Sequence, residues 1–392
     1  MSKLEKLIQQ YCPDGVEYKA LGEVTIMKRG TSATKGIMQE GNIPVISGGR
    51  QPAFYCNASN RTGEVITVAG SGAGAGYVQY WNEPIFVCDA FSIQGNETLN
   101  TKYVYYVLTS IQEKIYSTKK GGGVPHVHIS SIDKFEIPVP PLPVQEEIVR
   151  ILDAFTELQA ELQAELQKRK QQYNFYRDNL LTNYTSEQNV KEYCLGELFE
   201  FKNGLNASKE QFGHGKPIVN YVNVYKKNSI VSSDLTGRVE LEASAIERYR
   251  VKRGDVFFTR TSETREEVGF ASVLLENIED CVFSGFVLRA RPITNVILPE
   301  FCKYCFATYK IRKQIIQSST LTTRALTNGA SLSKVKIMIP SIAEQNRIVS
   351  ILDRFDTLTN DLTAGLPAEM EKRRQQYEFY RDKLLTFKRK EA

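Results

Sequence analysis

The twelve residues QQYNFYRDNLLT, starting at Gln171, return as QQYEFYRDKLLT starting at Gln375. Ten of the twelve letters agree across a separation of 204 residues. Two copies of one segment call for two copies of one environment, so the repeat constrains the fold before any single residue does.

The repeat extends upstream. PVPPLPVQEEIVRILDAFTEL begins at Pro138 and MIPSIAEQNRIVSILDRFDTL at Met338. At a separation of 200, Pro140, Gln145, Ile148, Val149, Ile151, Leu152, Asp153, Phe155 and Leu158 all recur. The second copy therefore carries four extra residues, around GLPAE at 365–369.

Both copies read as long helices. Apolar residues fall at 148, 151, 155, 158, 162, 166, 173, 176 and 180 in the first. They fall at 348, 351, 355, 358, 362, 366, 370, 377, 380 and 384 in the second. This alternating three–four spacing is the stripe of a helix packed along another helix. Four extra residues are about one turn and keep the stripe on one face. Pro367 is expected to kink or break the second helix. If continuous over 144–182, the first would be about 58 Å long. Pro143 and Pro340 mark the two helix starts.

The blocks between the helices repeat more faintly. YKALGEV at Tyr18 pairs with YCLGEL at Tyr193, GEVITV at Gly63 with GDVFFT at Gly254, and SSIDKFEIPVP at Ser130 with ASLSKVKIMIP at Ala330. They read as short strands, with one helical run per block, from Thr101 and from Pro299. The expected fold is α+β: two α/β domains of short strands, separated by two long antiparallel helices that pair as a coiled coil. The whole is a pseudo-two-fold internal repeat. The expected boundaries are 1–142, 143–186, 187–340 and 341–392.

Composition adds a little. No apolar run in the 392 residues reaches the length of a membrane span. The first residues lack the apolar centre of a secretory signal. Seven scattered cysteines then read as reduced thiols, which points to the cytoplasm. The net charge is +5, and residues 187–340 hold 22 Lys and Arg against 17 Asp and Glu. Such an excess suits phosphate binding but also occurs on merely soluble surfaces.

The two QQY-x-FYRD-x-LLT segments, the two ILD-x-F segments and the two P-x(4)-Q openings together resemble the specificity (S) subunit of type I restriction–modification enzymes. The resemblance covers essentially the whole chain. It implies two target-recognition domains, each reading one half of a bipartite, gapped DNA site. It also implies helical spacers that dock two methyltransferase (M) subunits, with restriction/motor (R) subunits added in a full complex. No cofactor and no metal are implied. The two blocks differ strongly in sequence, so the two half-sites should differ.

Catalytic motifs are sparse. PDGVEYK places Asp14, Glu17 and Lys19 like a nuclease motif, but metal-dependent cleavage needs ligands converging from separate elements. The string reads instead as a Pro-Asp-Gly turn. CKYC at 302–305 lacks the further ligands zinc requires and reads as a buried helical pair. GSGAGAG at 70–76 lacks phosphate-loop spacing; it is either a mobile glycine loop or bare backbone that approaches DNA. Neither a methyltransferase NPPF-type motif nor a Walker A motif is present, so the chain is expected to be non-catalytic.

The candidate DNA contacts are Lys28, Arg29, Ser71, Lys119, Lys120, His126, His128, Lys226, Lys227, Arg260, Arg265 and Arg324. The candidate subunit interface is Tyr173, Tyr176, Arg177, Tyr377, Tyr380 and Arg381, because a coiled-coil seam alone does not require the repeated Arg-Asp pair. Two rival readings stand beside this one. One is a self-sufficient metal-dependent nuclease. The other is a coiled-coil scaffold that never touches DNA.

Overall fold

The computed structural model describes residues 2–33, 39–121, 123–184, 189–225, 227–360 and 365–391. The chain forms two compact units, residues 1–163 with 369–392, and residues 164–368. The fold is α+β.

In the first unit a four-stranded sheet has the order Thr25–Arg29, Ala90–Gly95, Val65–Ala69, Val78–Trp81. In the second, the order Phe199–Asn203, Val287–Pro292, Val256–Thr259, Ala271–Leu274 repeats it and adds Ser229–Ile230 in parallel. A three-stranded sheet accompanies each. Ile43–Ile46 lies between Phe54–Cys56 and Phe86–Val87, and Phe212–Val219 lies between Arg238–Val239 and Val282–Phe283. In both, one pairing is antiparallel and the other parallel. A short antiparallel pair closes each domain: Tyr18–Ala20 with Glu136–Pro138, and Lys191–Cys194 with Lys336–Ile339.

Val65–Ala69 and Val256–Thr259 are buried at every position. That is why their sequences, VITVA and VFFT, are apolar apart from one threonine each. The helical run from Thr101 breaks into Thr101–Ser110 and Gln112–Tyr116, and that from Pro299 into Pro299–Cys305 and Tyr309–Ser318. Each continuous run expected from sequence is thus two helices, the first turning at Ile111, whose φ is −107°.

The first spacer is one helix, Leu142–Thr182, of 41 residues, about 60 Å long at the usual rise. The second is two helices, Ile342–Asn360 and Gly365–Leu384. The break lies ahead of Pro367, not at it. Gly365 has φ +73° and lies against the carbonyls of Thr357 and Leu358, a conformation L side chains avoid. Pro367 sits in the first turn, where a missing N–H costs nothing.

Each unit's core is completed by both spacers. In the first, Val144, Ile148 and Leu152 pack with Leu385, Tyr377 and Leu384. In the second, Ile348 and Leu352 pack with Leu181, Tyr173 and Leu180. Buried amides fix both helix starts. Gln145 accepts from Asn100 N (2.8 Å) and donates to Thr98 O (3.0 Å) and Pro140 O (2.6 Å). Gln345 accepts from Leu298 N (2.9 Å) and donates to Val296 O (2.7 Å) and Pro340 O (2.9 Å). A buried amide must be satisfied in this way, which accounts for the repeated P-x(4)-Q. The repeated aspartates anchor a domain helix: Tyr106 donates to Asp153 and Tyr304 to Asp353, beside Lys102 and Lys303.

Candidate nucleic-acid interface

Backbone hydrogen bonds build one frame at an edge of both domains. In the first domain Gly70 donates to Asp89 O (3.1 Å), Val127 donates to Gly70 O (3.0 Å) and Gly76 donates to Ala69 O (2.7 Å). In the second, Arg260 donates to Phe286 O (3.2 Å), Thr327 to Arg260 O (2.9 Å) and Gly269 to Thr259 O (3.1 Å). Gly70 therefore corresponds to Arg260, Asp89 to Phe286 and Val127 to Thr327. The bridges Ser71–His126 and Thr261–Leu326 lie next to them. Gly76 and Gly269 are the same residue on this shared frame, whereas Gly70 and Arg260, Asp89 and Phe286, and Val127 and Thr327 differ.

In the first domain the frame surrounds a cleft of about 200 Å³, lined by Arg29, Asp89, His126 and His128 among others. The Ser71 hydroxyl donates to the Asp89 carboxylate. Lys120 and His126 exchange backbone hydrogen bonds of 3.0 and 2.8 Å, which brings Lys120 beside the cleft. His126 and His128 stack with ring centroids 6.0 Å apart, both exposed. Lys119 lies over the Tyr116 ring at 4.0 Å. Five sequence candidates thus converge: Arg29, Ser71, Lys120, His126 and His128. Lys28 is exposed on the strand beside Arg29 and pairs across to Ser92. The glycine segment is the turn between two sheet strands. Gly74 is buried against the Gly48 carbonyl, too close for a side chain. It is packed scaffold, not a free glycine loop.

In the second domain Arg260, Arg265 and Arg324 gather around the small sheet Thr261–Ser262, Ala325–Leu326, Thr320–Leu321. All three are engaged. Arg260 donates to Gly285 O (3.0 Å), Arg265 to Ser319 O (3.0 Å), and Arg324 pairs with Glu263 at 3.0 Å. Phe286 and Leu326 are exposed there. Lys227 does not join this group; it pairs with Asp234 at 2.7 Å. Lys226 lies outside the described residues.

The nuclease-like string forms no centre. Gly15, at φ +110°, makes the turn, and Glu17 pairs with Lys19 at 3.0 Å. Cys302 and Cys305 are buried in one helix. Among the described residues no group of three or more His, Cys, Asp or Glu could hold a metal ion, and no helix is long and apolar enough to cross a membrane.

On the spacers, Arg177 lies over Tyr173 (5.8 Å) and pairs with Asp178, and Arg381 lies over Tyr377 (5.8 Å) and pairs with Asp382. Both guanidiniums are mostly buried, 12% and 15% exposed. Asp178 also accepts from Tyr309 N at 3.1 Å. The repeated Arg-Asp pair thus has an internal use. What protrudes is the preceding aromatic: Phe175 is 63% and Phe379 64% exposed, each edge-on to Tyr176 or Tyr380.

The sequence model of the type I restriction modification DNA specificity domain matches residues 13–169 and 187–372. The chain belongs to this family. The specificity subunit of the Escherichia coli type I restriction enzyme EcoR124I/EcoR124II is 31% identical over 438 residues, covering 100% of this chain and 98% of that one. The EcoprrI specificity subunit of Escherichia coli is 28% identical over 289 residues, covering 71% and 66%. A solved chain described under complex assembly and conformational transition of the type I R-M system has the same fold. Its TM-score is 0.64 at 15% identity, with 95% and 98% of the two chains covered.

Within the type I specificity family pattern, sequence reasoning passed over Asp89, Phe286, Phe175 and Phe379. The first two lie between strands without charge clusters around them. Their equivalence comes from the shared frame, which only pairing reveals. The two phenylalanines could have been found: they are identical letters that fall outside the apolar stripe.

Proposed function

We propose that this chain is the DNA sequence-specificity subunit of a type I restriction–modification complex, recognising a bipartite, gapped site and carrying no catalytic centre itself. The observation that carries this reading is the shared frame. One backbone arrangement presents Ser71, Asp89, His126 and His128 in one domain, and Thr261, Phe286, Leu326 and Asn328 in the other. Two readers of different half-sites need a common scaffold with different side chains. Arg29, Lys28, Lys119, Lys120, Arg260, Arg265 and Arg324 supply the positive rim for phosphates, with Lys226 and Lys227 as further candidates.

The spacers dock two methyltransferase subunits, with restriction subunits added in the full complex, in the cytoplasm. Phe175 with Tyr176, and Phe379 with Tyr380, form two equivalent aromatic patches. On the same two helices Arg177 lies over Tyr173 and Arg381 over Tyr377. An exposed aromatic repeated at both positions suits two copies of one partner.

The test is to co-express the chain with its methyltransferase and map methylated adenines genome-wide. A gapped two-part motif is expected. Exchanging residues 187–336 for the block of a relative should change one half-site and leave the other. Methylation without a motif, or change of both halves together, overturns the reading.

A further inference from the structure

We propose that Asp89 and Phe286, which hold the same backbone position in the two domains, set the class of base each domain accepts. Asp89 selects a base with a major-groove amino group, cytosine or adenine. Phe286, with Leu326, selects thymine through its methyl group. The inference rests on the DNA-reading function proposed above and names the chemistry read at that site.

The position is defined by hydrogen bonds, not by sequence likeness. Asp89 O accepts from Gly70 N, and Phe286 O accepts from Arg260 N, at 3.1 and 3.2 Å. Both side chains are exposed, each one residue ahead of the equivalent strand of its own sheet, Ala90–Gly95 or Val287–Pro292. Among the described residues lining its cleft Asp89 is the one carboxylate, beside Arg29, His126 and His128. A carboxylate on a basic rim weakens phosphate binding, so its place there calls for another partner. In the major groove the partners for an acceptor are cytosine N4–H and adenine N6–H. Against guanine O6 or thymine O4 it would set acceptor against acceptor. One oxygen of Asp89 is held by the Ser71 hydroxyl, which aims the carboxylate and leaves the other oxygen for a base.

Phe286 reverses this chemistry. It is 65% exposed and carries neither donor nor acceptor. Leu326, which pairs with Thr261 on the adjoining strand, is exposed as well. An apolar pair at a base edge favours the thymine methyl and leaves an amino group unpaired.

The experiment is a selection from randomised duplexes with the full chain assembled with methyltransferase subunits, at one fixed salt concentration. The wild type is expected to enrich a two-part site. Asp89→Ala should lower discrimination about tenfold or more at one cytosine or adenine of one half-site, with all other positions unchanged. Phe286→Ala should do the same at one thymine of the other half-site. Asp89→Asn, which keeps the shape but replaces one acceptor oxygen with an N–H donor, should newly admit guanine or thymine at that position; a merely structural role would not produce such a switch. Unchanged melting curves verify that the variants fold. If both variants select the wild-type site with wild-type weights, or relax a guanine, the inference fails and the function stands. If the wild type itself enriches nothing, the DNA-reading function fails with it.

Discussion

Phe155 stacks on Tyr380, with ring centroids 5.7 Å apart and planes 23° from parallel. The equivalent residue of the second repeat, Phe355, stacks on Tyr176 at 5.9 Å and 28°. The start of each spacer thus meets the end of the other, and each copy of the repeat completes its partner copy. A double-mutant cycle of Phe155→Leu with Tyr380→Leu should give a coupling of about 0.5–1.5 kcal/mol. Chemical unfolding measures it, and strictly additive losses would show the rings to be independent.

Glu147 links the first helix, Lys3–Tyr11, to the spacer. It is 3% exposed and pairs with Arg150 and Lys3, both at 2.7 Å. The hydrogen bonds from Arg150 outweigh burial and, with Lys3, hold its carboxyl down to about 2. A depressed carboxyl stabilises the fold above its unfolded value of about 4.3 and loses that contribution as pH falls towards 2. Glu147→Gln should therefore melt lower than wild type at pH 7, by about 1–3 kcal/mol. The gap should close between about pH 4.5 and 2. Melting curves across that range check it, and a gap that widens on acidification would contradict the pairing.

Asp255 is buried and accepts two hydrogen bonds from Arg291, at 2.8 and 2.7 Å. Removing one partner of a buried pair strands the other charge. Asp255→Ala is expected to cost the second unit about 3–5 kcal/mol. Asp255→Leu with Arg291→Met should recover much of the loss in urea unfolding. A single mutant within 1 kcal/mol of wild type would rule out a structural role for the pair.

Phe175 and Phe379 protrude at matching positions of the repeat. Phe175→Ser or Phe379→Ser should leave the melting curve unchanged and weaken one of two methyltransferase contacts. The double variant should lose both. Native mass spectrometry counts bound subunits, and full two-to-one assembly by the double variant would remove these rings from the interface. Arg177→Ala and Arg381→Ala are expected to lower stability as well as assembly, because both guanidiniums brace tyrosines of their own helices.

The duplication was legible because it is written in identical letters. Gln171 to Thr182 and Gln375 to Thr386, with the two P-x(4)-Q openings, determine two domains, two spacers and the family. Helical stripes and buried strands follow local periodicity, which a sequence carries by itself. Pairing is non-local. That Phe155 meets Tyr380, that Leu385 completes the first core, and that Asp89 and Phe286 share a position depend on contacts between residues far apart in the chain. The same holds for Arg177 and Arg381, whose identical letters could serve a partner or a neighbouring tyrosine. Only packing shows that they lie against Tyr173 and Tyr377 and leave Phe175 and Phe379 exposed. The sequence determined which pieces recur; the tertiary structure decided which faces are spent inside the chain, because burial is a property of the assembled surface and not of the letters.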